Sequence, residues 1–133
     1  MSASPKSLLD FPTDADRDAA GRVFASAAEL FGVLSTPLRL RILNAICTRE
    51  LGVNDIVDAV RSTQPNVSQH LKILYLAGIV EKRREGNQIY YRVHNEHALR
   101  MCRMVCTQIA IELDEPGAVP VQARLANRRP RAA

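Results

Sequence analysis

Two cysteines sit four residues apart in "MCRMVC", residues 101–106, and a third stands apart at Cys47. Thiolates are soft ligands and strong nucleophiles. Such a pair can close a disulfide, form one edge of a soft-metal site, or simply pack. Around it Leu99, Met101, Val105, Ile109, Ala110 and Leu113 recur at helical spacing. Residues four apart on a helix share a face with β-carbons ~5–6 Å apart, close enough for two sulfurs to hold one ion. Three thiols, an odd number, argue against a structural disulfide framework. Packing stays open, because cysteine is among the most buried residue types. Arg100 and Arg103 flank the pair and would favour the thiolate form.

A second set of residues suits a different chemistry. Gln64, Asn66, Ser68, Gln69, His70 and Lys72 crowd the first turns of another helical stretch. Amides, hydroxyls and a base are the groups that read base edges in a major groove ~12 Å wide. A helix N-terminus can also face a phosphate. The plain alternative is a solvated helix face. Further on, Lys82, Arg83, Arg84 and Arg92 surround Gly86, offering cations for phosphates. Glu81 and Glu85 dilute that charge, so an ordinary surface hairpin is the competing reading.

The elements that must position these groups follow from periodicity. Residues 14–34 place Ala20, Val23, Phe24, Ala27, Leu30, Phe31 and Leu34 on one stripe, predicting a helix. Ser35 or Thr36 caps a second helix, with Pro37 in its first turn and Leu38, Leu40, Ile42, Leu43, Ile46 and Cys47 along it. A short third helix covers "VNDIVDAV". The fourth, residues 64–77, buries Val67, Leu71, Leu74 and Leu76 and stops at Gly78. "IVEKRR" and "QIYYRV", separated by Glu85-Gly86-Asn87, predict a hairpin with Tyr90 toward the core and Tyr91 outward. Residues 96–113 return to helix. Two helices joined by a turn and followed by a hairpin describe a winged helix-turn-helix, mainly α with a β-hairpin wing.

Composition fits one domain of 133 residues. Residues 1–13 are expected to be a flexible arm, 14–115 the folded domain, and 116–133 a disordered basic tail. That tail carries four of the 18 basic residues and none of the 14 acidic ones, so the rest of the chain is neutral. The +4 charge is therefore weak evidence for a nucleic-acid partner. No run of 18 apolar residues predicts a membrane span, and the N-terminus lacks the pattern of a secretion signal, so a cytoplasmic protein without a membrane partner is expected. No acid–base set or glycine-rich loop accompanies the thiols, so an enzyme is not expected.

"LSTPLRLRILNAI" and "STQPNVSQHLKILYLAGIVEKRREGNQIYYRV" together resemble the arsenic-repressor (ArsR/SmtB) family of bacterial repressors, over roughly residues 25–113. The resemblance implies a homodimer of winged helix-turn-helix subunits, built by the first and last helices. It further implies that the dimer occupies double-stranded operator DNA until an inducer lowers its affinity. Gln64, Asn66, Ser68, Gln69 and His70 fall in the recognition helix, and Arg84 and Gly86 in the wing. Two-fold symmetry would set recognition helices roughly 34 Å apart.

Family members sense through distinct sites. One uses Cys-x-Cys in an "ELCVCD"-like string, which here reads Glu50-Leu51-Gly52-Val53-Asn54-Asp55, with both thiols gone. Another pairs Asp and His at the head of the last helix with His and Glu near its end. Here Asn95, His97, Gln108 and Ile111 stand instead, and His94 and His97 read as surface residues. The cysteines remain: Cys102 and Cys106 suit As(III) or Sb(III) acting as inducer, with no permanently bound cofactor. Cys47 is the candidate third ligand if the second and last helices pack together. The alternative is a redox or reactive-sulfur sensor using Cys47 and Cys106.

Overall fold

A computed structural model describes residues 13–114. The arm up to Pro12 and the tail from 116 lie outside the described residues. Five helices and three strands follow in the order α1 (Asp14–Val33), α2 (Pro37–Ile46), β1 (Leu51–Gly52), α3 (Val53–Val60), α4 (Gln64–Leu76), β2 (Val80–Glu85), β3 (Gln88–Val93) and α5 (Glu96–Asp114). This is the expected winged helix-turn-helix, with one element that periodicity did not reveal. Two-residue β1 pairs antiparallel with β3, so the sheet is three-stranded with order β1-β3-β2.

Threonines start three of the helices. Thr13, Thr36 and Thr63 each accept a backbone N–H three residues on, from Asp16 (3.0 Å), Arg39 (3.2 Å) and Asn66 (3.4 Å). Each satisfies one of the orphan donors of a first turn. Thr36 is thus the cap, and Pro37 follows it where a missing N–H costs nothing. The turn between α3 and α4 passes through Arg61 at φ 54°, a left-handed residue that is not glycine.

The α4 terminus is the joint of the fold. Gly78 takes φ 73°, its N–H donates to Tyr75 O (3.0 Å), and Ile79 N–H donates to Leu74 O (3.0 Å). That is the double bond of a Schellman motif, with its apolar contact supplied by Leu74 and Ile79, both fully buried. Ile79 O then accepts from His94 N–H (2.8 Å) and Asn95 N–H (3.1 Å). One residue therefore fixes the end of the recognition helix, the base of the wing and the entry to α5. No atom lies within 4 Å of a β-carbon built on Gly78, so only backbone strain opposes a side chain there. Gly78→Ala should cost about 1–2 kcal/mol, read as a lower midpoint in urea unfolding with unchanged slope.

The core gathers Ile42, Leu43 and Ile46 of α2, Ile56 and Val60 of α3, Val67, Leu71 and Leu74 of α4, and Ile79, Val80, Tyr91, Ala98 and Leu99. Each large apolar side chain buried here contributes about 1.5–3 kcal/mol. Two expectations fail. Leu76 is 73% exposed: the helix turns it away from the 67/71/74 stripe. The tyrosines are reversed, with Tyr91 buried and Tyr90 half-buried over the outer face, because β1 pairs Leu51 with Tyr91 and sets that face inward.

Two helices stay largely outside this core. α1 joins it through Leu30, Val33 and Leu34 near its end. Val23, Phe24 and Phe31 remain about half exposed, as do Val105, Ile111 and Leu113 on α5, and Met104 is 72% exposed.

Candidate nucleic-acid interface and thiol pair

The first turns of α4 present Gln64, Asn66, Ser68, Gln69 and Lys72, all exposed, while Val67 and Leu71 fix the opposite face in the core. The helix is thus held by its apolar side and free on its polar side, as a groove reader must be. Asn66 Nδ2 donates to Ser62 Oγ (3.0 Å), which aims its amide and leaves the carbonyl free. His70 differs from the group. It is half-buried beside a cleft lined by Thr36, Arg41, Arg61 and Asn66, and its Nδ1 is shut off from solvent with no hydrogen-bond partner among the described residues. Periodicity did not single out Arg41 or Arg61; the packing of α2 beside α4 brings Arg41 to that cleft, and the α3–α4 turn brings Arg61.

The wing turns through two residues, of which only Gly86 has a positive φ (61°), as a type II′ turn requires. Its cations are mostly committed. Glu50 Oε1 accepts from Arg83 Nη2 (2.6 Å) and Nε (2.7 Å), and Glu85 Oε2 accepts from Arg83 Nη1 (2.6 Å). The Arg83 guanidinium also lies 4.7 Å from the centre of the Tyr90 ring. Hydrogen bonding to Arg83 holds the Glu50 carboxyl below its ordinary pKa, and Arg83 is pushed up by both carboxylates. Arg92 pairs with Glu81, whose other oxygen lies 3.3 Å from His94 Nδ1. Lys82 Nζ sits 4.3 Å over the Tyr75 ring. Arg84 donates from Nε to Gly86 O (3.2 Å). Glu50 stands 33 residues from Arg83, so no local pattern could have revealed the pair.

On α5, Asn95 Oδ1 accepts from Ala98 N–H (3.0 Å), so the residue at the head of this helix caps it. His94 and His97 are exposed, as expected. Cys102 is half-buried against the core and Cys106 is exposed one turn further on. Burial, then the proximity of Cys106, raise the Cys102 pKa. The expectation that Arg100 and Arg103 would favour its thiolate is therefore corrected: desolvation outweighs these exposed guanidinium groups. Cys47 ends α2 and lines a cleft of about 780 Å³ between that helix, the wing and α5, which neither other thiol lines. Among the described residues no three His, Cys, Asp or Glu side chains form a group that could hold a metal ion. One subunit thus brings Cys102 and Cys106 together without assembling a set that includes Cys47.

Fold and exposed helix define the class: a winged helix-turn-helix domain with an outward-facing recognition helix. The family described as "Bacterial regulatory protein, arsR family" matches residues 36–82. The chain is 38% identical over 73 residues to the HTH-type transcriptional regulator KmtR of Mycobacterium tuberculosis, covering 55% of this chain and 56% of that protein. It is 34% identical over 83 residues to an HTH-type transcriptional regulator of Methanocaldococcus jannaschii, covering 62% of this chain and 93% of the relative. Among solved structures it resembles the homodimeric winged helix-turn-helix DNA-binding domain of a Mycobacterium bovis protein, with TM-score 0.66 and 29% identity over 80% of this chain and 96% of that one. The chain belongs to the ArsR family. The match spans little more than half the length of the M. tuberculosis regulator. No single helix among the described residues is long and apolar enough to cross a membrane.

Proposed function

We propose that this chain is a homodimeric DNA-binding repressor, released from its operator when As(III) or Sb(III) is captured by Cys102 and Cys106. One observation carries the DNA reading: the polar first turns of α4 are exposed while Val67, Leu71 and Leu74 pin the helix from behind. Gln64, Asn66, Ser68, Gln69, His70 and Lys72 face or flank the groove. Arg84 and Gly86 at the wing tip meet the backbone. The exposed apolar faces of α1 and α5 supply the second subunit's seat.

The input rests on the thiol pair, in which Cys106 lies near enough to Cys102 to help raise its pKa after burial. Soft sulfur ligands suit a thiophilic metalloid rather than magnesium or calcium. Solvent or a small thiol takes the third position. The raised Cys102 pKa weighs only against Cys102 itself as the group that attacks peroxide or polysulfide, since that attack needs the thiolate.

The test is a mobility-shift titration on DNA upstream of the chain's own gene. The parent should bind a specific site with strong salt dependence. Gln69→Ala should weaken that binding 5- to 150-fold, about 1–3 kcal/mol for one lost bidentate base contact, with the dimer unchanged. Equal affinity of parent and variant would remove Gln69 from base reading. Absence of any site preference in the parent would end the repressor reading.

A further inference from the structure

We propose that Arg83 is a positioning residue: a clamp that fixes the pose of the wing and has its own charge withheld from DNA. The inference rests on the DNA-binding reading above but names a residue whose sequence context pointed to phosphate contact. Arg83 stands directly opposite Tyr90 across the β2–β3 ladder, and Tyr90 stands opposite Gly52 across β3–β1. The long side chain therefore runs over the central strand, 4.7 Å above the Tyr90 ring, and reaches Glu50 at the entry to β1. It spans all three strands. Glu50 precedes the helix-turn-helix and Glu85 sits at the wing tip, so the two carboxylates join those parts through one guanidinium. The planar, always-charged fork of arginine suits two carboxylates and an aromatic face at once, as a lysine would not.

The electrostatic consequence is a division of labour in "KRRE". Arg83 is neutralised twice. Arg92 is neutralised by Glu81, and Lys82 lies over Tyr75. Arg84 alone of these four cations has neither a carboxylate nor a ring partner among the described residues. Arg84, and Lys82, whose ring contact leaves its charge in place, therefore carry the wing's phosphate charge, while Arg83 holds the wing in its pose. Glu50 and Glu85 keep Arg83 from adding to nonspecific affinity.

Salt dependence distinguishes this from a simple phosphate contact, since each phosphate neutralised adds about 0.9 to the log–log slope. In E50Q/E85Q, amide oxygens can still accept from Arg83 but no longer cancel it. The slope on duplex DNA should steepen by about one relative to the parent. The same pair of changes in an R83Q background should give clearly less, because the freed cation is missing. An equal gain in both backgrounds means that only the loss of negative charge mattered, and no gain in either means that Arg83 was never masked; both overturn the proposal. The clamp is also read without DNA: trypsin should cut after Arg84 severalfold faster in R83Q, where Glu85 after the cleaved bond is unchanged, than in the parent, while the thermal midpoint shows the fold intact. Unchanged cleavage overturns it. A parent that binds no duplex, with faster cleavage in the variant, would sink the repressor reading and leave the clamp standing.

Discussion

Replacing Cys102 and Cys106 together by serine should leave operator binding at the parent level and abolish release by arsenite or antimonite. Binding should survive because neither residue belongs to the fully buried core and both lie on α5, away from α4 and the wing. Release should fail because the sulfurs are the input. Coupling between sites in switches of this kind is about 1–3 kcal/mol, so the parent should lose 5- to 150-fold in affinity with metalloid present and the double variant none. The chemistry needs no oxidant. Two thiols and two hydroxyls of the metalloid acid exchange, two S–H bonds and two bonds to oxygen break, and both protons leave as water. A raised Cys102 pKa therefore does not penalise capture at neutral pH, and the response should be similar at pH 7 and pH 8.5. Oxidation has the opposite sign. With the pKa raised, the thiolate fraction at pH 7 lies below that of an ordinary cysteine, and it grows as pH climbs toward the folded-state value. A peroxide or polysulfide response through Cys102 should thus be weak at pH 7 and increase with pH. Cys47→Ser should keep the metalloid response, since Cys47 lines a cleft the pair does not share. Parent-like release of the double variant would show that the pair is not the sensor.

Most of the frame was legible because its signals are local. Capping by Thr36, Pro37 after it, the 67/71/74 stripe and the stop at Gly78 each depend on residues within a turn or two, and each holds in the fold. What failed depends on distant partners. The face of Tyr91 is decided by pairing with Leu51, forty residues earlier, through a strand of only two residues. Leu76 reads as apolar, yet two residues past Leu74 it lies on the opposite side of α4 from the 67/71/74 stripe. In the candidate site, the α4 cluster was visible as a run of polar types at a helix start. The state of the wing was not. A string of cations predicts positive charge, and only tertiary pairing with Glu50 and Glu81 shows how little of it is free. The thiol pair was visible as a spacing, but its ionisation is set by burial against the core, to which flanking arginines are a poor guide.

Phe24→Asp on α1, or Met104→Asp on α5, should convert the chain to a folded monomer that no longer holds a full operator. Both side chains are at least half exposed in the single subunit, so neither contributes to its core, and the circular dichroism spectrum should be preserved. Their exposure is the reason to expect a partner. α1 runs for 20 residues, yet besides buried Ala20 only its last turns reach the main core, and most helical stability in proteins comes from packing an apolar face. A second copy covers the α1 and α5 stripes at once, since a two-fold interface presents the same patch from both sides. A carboxylate buried at that seam carries a desolvation cost of several kcal/mol per ion; Arg100, one turn before Met104, offsets part of it on α5, so Phe24→Asp is the sharper variant. Loss of the dimer then removes the link between two half-site contacts. Avidity of this kind is worth 10²- to 10⁴-fold, so operator affinity should drop to half-site level while the α4 surface stays intact. Light scattering after gel filtration gives the mass, and titration on full and half operators gives the affinity. A variant that remains dimeric, or a monomer that binds the full operator as tightly as the parent, would place the subunit seam elsewhere.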